Sequence, residues 1–346
     1  MDFHQYMIPF WAGTTMHNES VLMVSDDNGR ACAPLLFNPT AILSVRNSAL
    51  DITYRQGVDW DYEKGNLKLL PESSIPHLTI ADLYPSSQKD KWTMPKIGGG
   101  YVLFHEGHFF HVHQLAVTYT HAADMWNGPV PQFDNGRLPG SFHKLNNGSP
   151  FKVILYGDSI SVGANASSYS GVPPFMPVWG QLFADNLKSY YSSSIEFENP
   201  SVGGQDSIWG LSNVNALVSD RNPDLVIIAF GMNDGAAGLS PIKFKLNVQG
   251  IMDDIKAKNP DVEFVLVATT LANPESYFAG RQADYLKELQ SLAGVGVVIV
   301  DMTGIHQELL SKKRFIDMTG NNINHPNDFL NRWYAQYVSG FFIKRI

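Results

Sequence analysis

The chain has 346 residues, of which 44% are hydrophobic and 17% charged, enough apolar material for one large domain or two ordinary ones. A net charge of −8 argues against nucleic acid or an anionic membrane as the main partner, since both select basic surfaces. The single cysteine, Cys32, excludes an intrachain disulfide and a cysteine-rich zinc site.

No run reaches the ~18 to 20 uninterrupted apolar residues of a membrane span. The opening Met1-Asp2-Phe3-His4-Gln5 has neither the basic head nor the apolar core of a signal peptide. As it stands the sequence reads as cytoplasmic, or as an exported protein from which a leader has been trimmed.

The first 120 or so residues alternate strand and turn. Val21-Leu22-Met23-Val24 and Ala33-Pro34-Leu35-Leu36-Phe37 flank Asp27-Asn28-Gly29, a hairpin signal. Strands are expected again at Ile42–Arg46, Ile52–Arg55 and Tyr101–His105, and from Phe109 to Tyr119, with no helix among them. Such spacing predicts an antiparallel β-sandwich or jelly roll over residues 1–125. Residues 126–150 are rich in breakers, with Asn127-Gly128-Pro129, Leu138-Pro139-Gly140 and Asn146-Asn147-Gly148-Ser149-Pro150, and read as a linker.

From Phe151 the rhythm changes to strand, helix, strand. Lys152–Tyr156, Asp224–Phe230, Phe264–Ala268 and Val297–Val300 are near-continuous apolar runs, with Ile195–Glu198 a weaker fifth. Runs of that kind suit a parallel sheet covered on both faces. Val248, Ile251, Met252 and Ile255 share one helical face, as do Phe329, Leu330, Trp333, Tyr337, Val338, Phe341 and Phe342. Residues 151–346 are therefore expected to form a doubly wound α/β domain, with ligands at the carboxyl ends of its strands.

Four features stand at the beginnings of loops on that edge. Gly157-Asp158-Ser159 follows the first strand, where a serine on a tight turn is exposed as a nucleophile. Asn199-Pro200-Ser201-Val202-Gly203-Gly204 follows the weak strand, and its glycines let backbone N–H groups approach a ligand. Gly231-Met232-Asn233-Asp234 follows a buried strand, and the Asn233 amide could donate to an oxyanion. Asn324-His325-Pro326 precedes the last helix with a histidine able to act as a base. Taken singly, each is equally an ordinary turn, cap or structural histidine.

Together the four resemble the SGNH, or GDSL, hydrolase family over residues 151 to about 346. The resemblance implies a flavodoxin-like five-stranded sheet, Ser159 as nucleophile and His325 as base. It implies an oxyanion hole of the Ser159 and Gly204 N–H groups with the Asn233 side chain. Some carbohydrate esterases of the family carry an N-terminal β-sandwich.

One position departs from the pattern. The family usually has Asp three residues before the histidine, and here it is Asn322. Asn322 could fix the imidazole tautomer through its oxygen but brings no charge. Three accounts remain open: a dyad oriented by a neutral acceptor, Asn322 or a backbone carbonyl, which is favoured; an acid supplied elsewhere, with Asp317 and Asp328 nearby; or a weak or dead enzyme.

The reading is a serine esterase for short O-acyl, foremost O-acetyl, groups on a small-molecule or oligosaccharide substrate, with no metal or organic cofactor. Its alternatives are a carbohydrate-binding protein on a decayed scaffold and a lipase or thioesterase of the same family. Trp209, five residues past Gly204, is a candidate for stacking on sugar. His111, His113 and His121 would share a strand face, but Val117 and Thr118 stand where a metal-binding carboxylate would be needed, so a hairpin surface or domain interface is preferred. Lys188 and the run Lys312-Lys313-Arg314 read as solvated basic faces.

Overall fold

A computed structural model describes residues 3–344. Met1, Asp2, Arg345 and Ile346 lie outside it, and with them the first two residues of the leader reading and both extreme ends of the expected domain ranges.

The second half is built on five parallel strands in the spatial order Ile195–Glu198, Phe151–Gly157, Leu225–Ala229, Glu263–Ala268, Val297–Asp301. The first strand in sequence lies second in space, so the chain reverses direction beside it, the switch point at which doubly wound sheets bind ligands. Leu225–Ala229 is buried along its whole length, as a central strand covered on both faces must be. Alternate residues serve opposite layers: Leu225, Ile227 and Ala229 join the core facing the C-terminal helix, whereas Val226, Ile228 and Phe230 join the core under helix Pro241–Lys258. That helix buries Phe244, Val248, Ile251, Met252 and Ile255, and the last helix, Asp328–Phe342, buries Phe329, Leu330, Trp333, Tyr337 and Val338.

The N-terminal half contains the antiparallel sheets of a β-sandwich. One sheet runs Thr15–Leu22, Gln114–His121, Pro39–Asn47, Thr53–Tyr54. Another runs Trp60–Glu63, Asn66–Leu69, Ala31–Pro34, Val24–Ser25, Leu78–Thr79, and only its last pair is parallel. Val24–Ser25 and Ala31–Pro34 form the Asn28-Gly29 hairpin.

Three expectations about this half need correction. Short helices do occur, at Phe3–Tyr6, Ile80–Leu83 and Phe109–His113. The third interrupts what was read as one strand from Phe109, so His111 and His113 do not share a strand face with His121. The ring nitrogens of the three donate to separate carbonyls, of Pro173, Phe109 and Ala122. The breaker-rich segment 126–150 also contains a helix, Pro139–Asn146, which buries Phe142 and Leu145; its first N–H groups, of Gly140 and Ser141, donate to the Glu263 carboxylate. Breakers set the ends of this helix without excluding its interior.

The two halves share one core. Phe10 packs on Phe329 and Trp333 with ring centroids 4.8 and 5.1 Å apart, and Trp126 lies 4.6 Å from Trp333. Lys313, expected on a solvated face, is fully buried and ion-paired with the equally buried Glu19 of strand Thr15–Leu22. Arg314 pairs with Asp317, which also accepts the Leu22 N–H at 2.8 Å. Buried Arg332 donates to the carbonyls of His17 and Asn18. Charges this deep persist only when paired or fully hydrogen-bonded, so each fixes how one half sits on the other.

Candidate active site

Gly157 ends the first parallel strand against Ala229; a Cβ there would stand 2.4 Å from the Ala229 carbonyl oxygen and 2.3 Å from Ser161 Oγ, so only glycine fits. The chain then turns, and Asp158 caps helix Ser159–Val162 by accepting the Ile160 N–H at 2.9 Å. Burial pushes the Asp158 carboxyl up to about 7, against the opposing Ile160 hydrogen bond, and the charge of Asp234 adds to the rise. Ser159 begins the helix and is 7% exposed.

The neighbouring loops are tied to this turn. Asn199 donates to the Ser161 carbonyl at 2.8 Å, and the Val202 N–H donates to the Gly157 carbonyl at 3.2 Å. Gly204 takes φ +77°, in the left-handed region where glycine is unstrained. Asn233 donates one amide hydrogen to the Gln205 carbonyl at 2.8 Å. Buried Asp234 accepts the Ser207 N–H and hydroxyl at 3.0 and 2.5 Å, so the loop after Leu225–Ala229 is clamped to the loop bearing Gly204.

His325 is presented by a turn organised around Asn321, whose Oδ1 accepts the N–H groups of Ile323, Asn324 and His325. Gly320 N–H and the Thr319 hydroxyl donate to the His325 carbonyl at 2.8 and 3.1 Å. His325 Nε2 lies 2.9 Å from Ser159 Oγ. Ser159, Gly204, Asn233 and His325 line one cleft of about 600 Å³, with Phe104, Tyr169 and Phe278 among its other walls.

Two residues singled out in the sequence stand elsewhere. Asn322 does not orient His325. Its side chain is buried, donates to the Leu103 carbonyl at 2.9 Å and accepts from Asn273 at 3.2 Å. The backbone at Asn322 has φ +65°, and the side chain is held by strand Tyr101–Leu103, which pairs antiparallel with Thr93–Pro95 in the N-terminal half. Trp209 is not a wall of the cleft; helix Ser207–Leu217 carries its ring to the layer behind the sheet, 6.0 Å from Tyr156. Asp317 and Asp328 are also committed elsewhere, the first to Arg314 and Leu22, the second to the Ser167 N–H at 2.8 Å. The final helix is capped by Asn327, whose side chain accepts the Leu330 N–H.

Two residues that the sequence did not single out face the other side of the imidazole. Asn165 Oδ1 is 2.6 Å from His325 Nδ1, and Glu106 Oε2 is 3.5 Å from the same nitrogen. Asn165 lies six positions after Ser159, just past helix Ser159–Val162, and nothing in its local pattern marks it. Glu106 sits between His105 and His108, and nothing in the local pattern marks a lone carboxylate there.

A parallel sheet in flavodoxin-like order, with a serine, a glycine pair, an asparagine and a histidine on the loops at one end, is the architecture of an SGNH-type α/β hydrolase. Residues 155–332, just over half of the chain, match the model of the GDSL-like Lipase/Acylhydrolase family, and the chain belongs to that family.

An arylesterase of Vibrio mimicus is 23% identical over 195 residues, covering 56% of this chain and 90% of that protein. Thioesterase 1/protease 1/lysophospholipase L1 of Escherichia coli K12 is 28% identical over 109 residues, 32% of this chain and 47% of that protein. Among solved structures, a two-domain esterase active on acetylated mannans superposes with a TM-score of 0.50 at 19% identity, covering 62% of this chain and 54% of that one. The matches thus span about half the length of the last two proteins, and the solved structure bears on the fold.

Proposed function

We propose that the protein is a serine esterase that removes short acyl groups, acetyl foremost, from a carbohydrate. The observation that carries this reading is the 2.9 Å approach of His325 Nε2 to Ser159 Oγ inside a cleft open to solvent. A decayed scaffold would have no reason to keep a nucleophile and a base in register, so the binding-protein alternative is the weaker one.

In this reading His325 takes the Ser159 proton as Oγ bonds to the ester carbonyl carbon. The N–H groups of Ser159 and Gly204 and the remaining amide hydrogen of Asn233 donate to the oxyanion. When the tetrahedral species collapses, the ester C–O bond breaks and the leaving alkoxide receives the proton from His325. Water, deprotonated by the same imidazole, then releases the acid and restores Ser159.

The carbohydrate reading is supported by the aromatic walls Phe104, Tyr169 and Phe278, whose faces suit the apolar faces of sugar rings. Tyr169 is 58% exposed, as a residue waiting for a ligand would be. The activity of the two-domain esterase on acetylated mannans points the same way.

The test is acetate release from acetylated oligosaccharides by the wild type and by Ser159→Ala, beside a series of aryl esters. Undiminished turnover in Ser159→Ala ends the proposal, and a preference for long-chain esters replaces the acetyl and carbohydrate assignment by a lipid one. A fluorophosphonate probe that fails to label Ser159 favours the binding-protein reading.

A further inference from the structure

Resting on the Ser159–His325 reading, we infer that Glu106, supplied by the N-terminal half, is the acid that completes the site, a positioning residue that offsets the charge His325 acquires on taking the Ser159 proton. The family's usual acid position holds Asn322, which is neutral and turned away into the Leu103 carbonyl.

Two residues divide the work of the missing aspartate. Asn165 sets the tautomer. Its amide nitrogen donates to the Gly107 carbonyl at 2.9 Å, which leaves its oxygen toward His325 and requires the ring hydrogen to be on Nδ1. Nε2 is thereby left as the acceptor for the Ser159 hydroxyl. Glu106 supplies the charge. Its Oε2 is 3.5 Å from Nδ1, and its Oε1 accepts from Asn321, the residue that shapes the histidine turn.

The loop that carries Glu106 is held from several sides. The His105 ring stacks on Trp92 at 3.6 Å between centroids and lies 4.7 Å from Phe109, and the His105 N–H donates to the Asn321 carbonyl. Gly107 accepts from Ser170 as well as Asn165. Burial would raise the Glu106 carboxyl, but hydrogen bonding and charge from His325, with hydrogen bonds from Asn321 and Asn165, hold it below its ordinary value. It therefore stays anionic at neutral pH. Among the described residues, Glu106 and Tyr169 are the ionisable groups that line the cleft besides His325, and Asp158 lies buried behind the serine. During acylation the proton moves from Ser159 Oγ to His325 Nε2; Nδ1 keeps its own proton, and the carboxylate gains none.

The Glu106 side chain is 47% exposed, so water weakens the interaction, and at the dielectric constant of water a charge pair at this spacing is worth about tenfold in rate. The experiment compares wild type, Glu106→Gln, Glu106→Asp and Ser159→Ala in the full chain with para-nitrophenyl acetate, from about pH 5 to about pH 9. The expected result for Glu106→Gln is a kcat about tenfold lower, a KM within about twofold, and an acidic limb of kcat/KM moved to lower pH, because the imidazolium has lost its counter-charge. Glu106→Asp, which keeps the charge one methylene further back, recovers part of the rate.

A Glu106→Gln enzyme with the wild-type kcat and pH profile overturns the inference. So does an equal loss in both Glu106 variants with an unmoved profile, which marks a structural loop role. Full activity in Ser159→Ala would instead remove the underlying dyad reading, so the two failures are distinguishable.

Discussion

Asn165 turns its side-chain oxygen to within 2.6 Å of His325 Nδ1 while its nitrogen is occupied by Gly107. An asparagine can therefore do the orienting half of what a catalytic aspartate does, because the Gly107 carbonyl decides which end of the amide faces the ring.

Asn165→Ala frees Nδ1 and lets the imidazole adopt the other tautomer. In the serine proteases, holding the wrong tautomer costs about four decades in rate. A fall in kcat between about 10² and about 10⁴-fold with little change in KM is expected here. Steady-state kinetics on an aryl acetate checks it; a raised KM with intact kcat would place Asn165 in substrate binding instead.

Asn322→Asp restores the residue type of the family pattern, yet it should not raise the rate. The new carboxylate would face the Leu103 carbonyl and lose the donated hydrogen bond. The expected outcome is a loss of about 1–3 kcal/mol in stability with no gain in kcat, read by urea unfolding beside kinetics. A large rate gain would mean that the side chain can swing to His325 after all.

Asp158 makes stability depend on pH. Its folded-state value is raised to about 7, whereas an unfolded aspartate titrates near about 3.9. The folded protein thus holds the proton more tightly. The resulting advantage is complete below about pH 4 and is lost as pH rises through about 7. Asp158→Asn cannot titrate, so its stability relative to wild type should improve across that window by up to about 4 kcal/mol. Denaturant midpoints at several pH values test this, and two curves that stay parallel refute it.

Lys313 and Glu19 are both fully buried and lie in different halves of the chain. Lys313→Met leaves the Glu19 charge, among the described residues, with the Leu36 N–H and the Tyr119 hydroxyl as hydrogen-bond partners. A loss of about 3–5 kcal/mol is expected, partly recovered by Glu19→Gln in the same chain. If thermal unfolding shows no loss in the single variant, the pair does not hold the halves together.

The parallel sheet was legible because its strands are buried on both faces and so read as unbroken apolar runs; Leu225–Ala229 has no polar residue to blur the signal. Phe109–His113 was misread because five residues are too few to show a helical period beside a genuine strand. Lys313-Arg314 looked solvated because a charge run carries no mark of its partners, and Glu19 lies 294 positions away. The loop tips carrying Ser159, Gly204, Asn233 and His325 were visible because each follows a strand or precedes a helix. Asn165 and Glu106 were not, because what matters about them is created by contact with a histidine 160 residues distant for one and in the other half of the chain for the other.

The apolar seam where Phe10 and Trp126 meet Trp333 has a consequence for inheritance. The recognisable hydrolase segment cannot be excised as a portable cassette: alone it would bare Phe329 and Trp333 to water and leave the Glu106 loop behind. Recombination that exchanged either part for a distant cousin's would have to carry matching partners across the join, so the two portions are expected to have travelled through descent as a single piece.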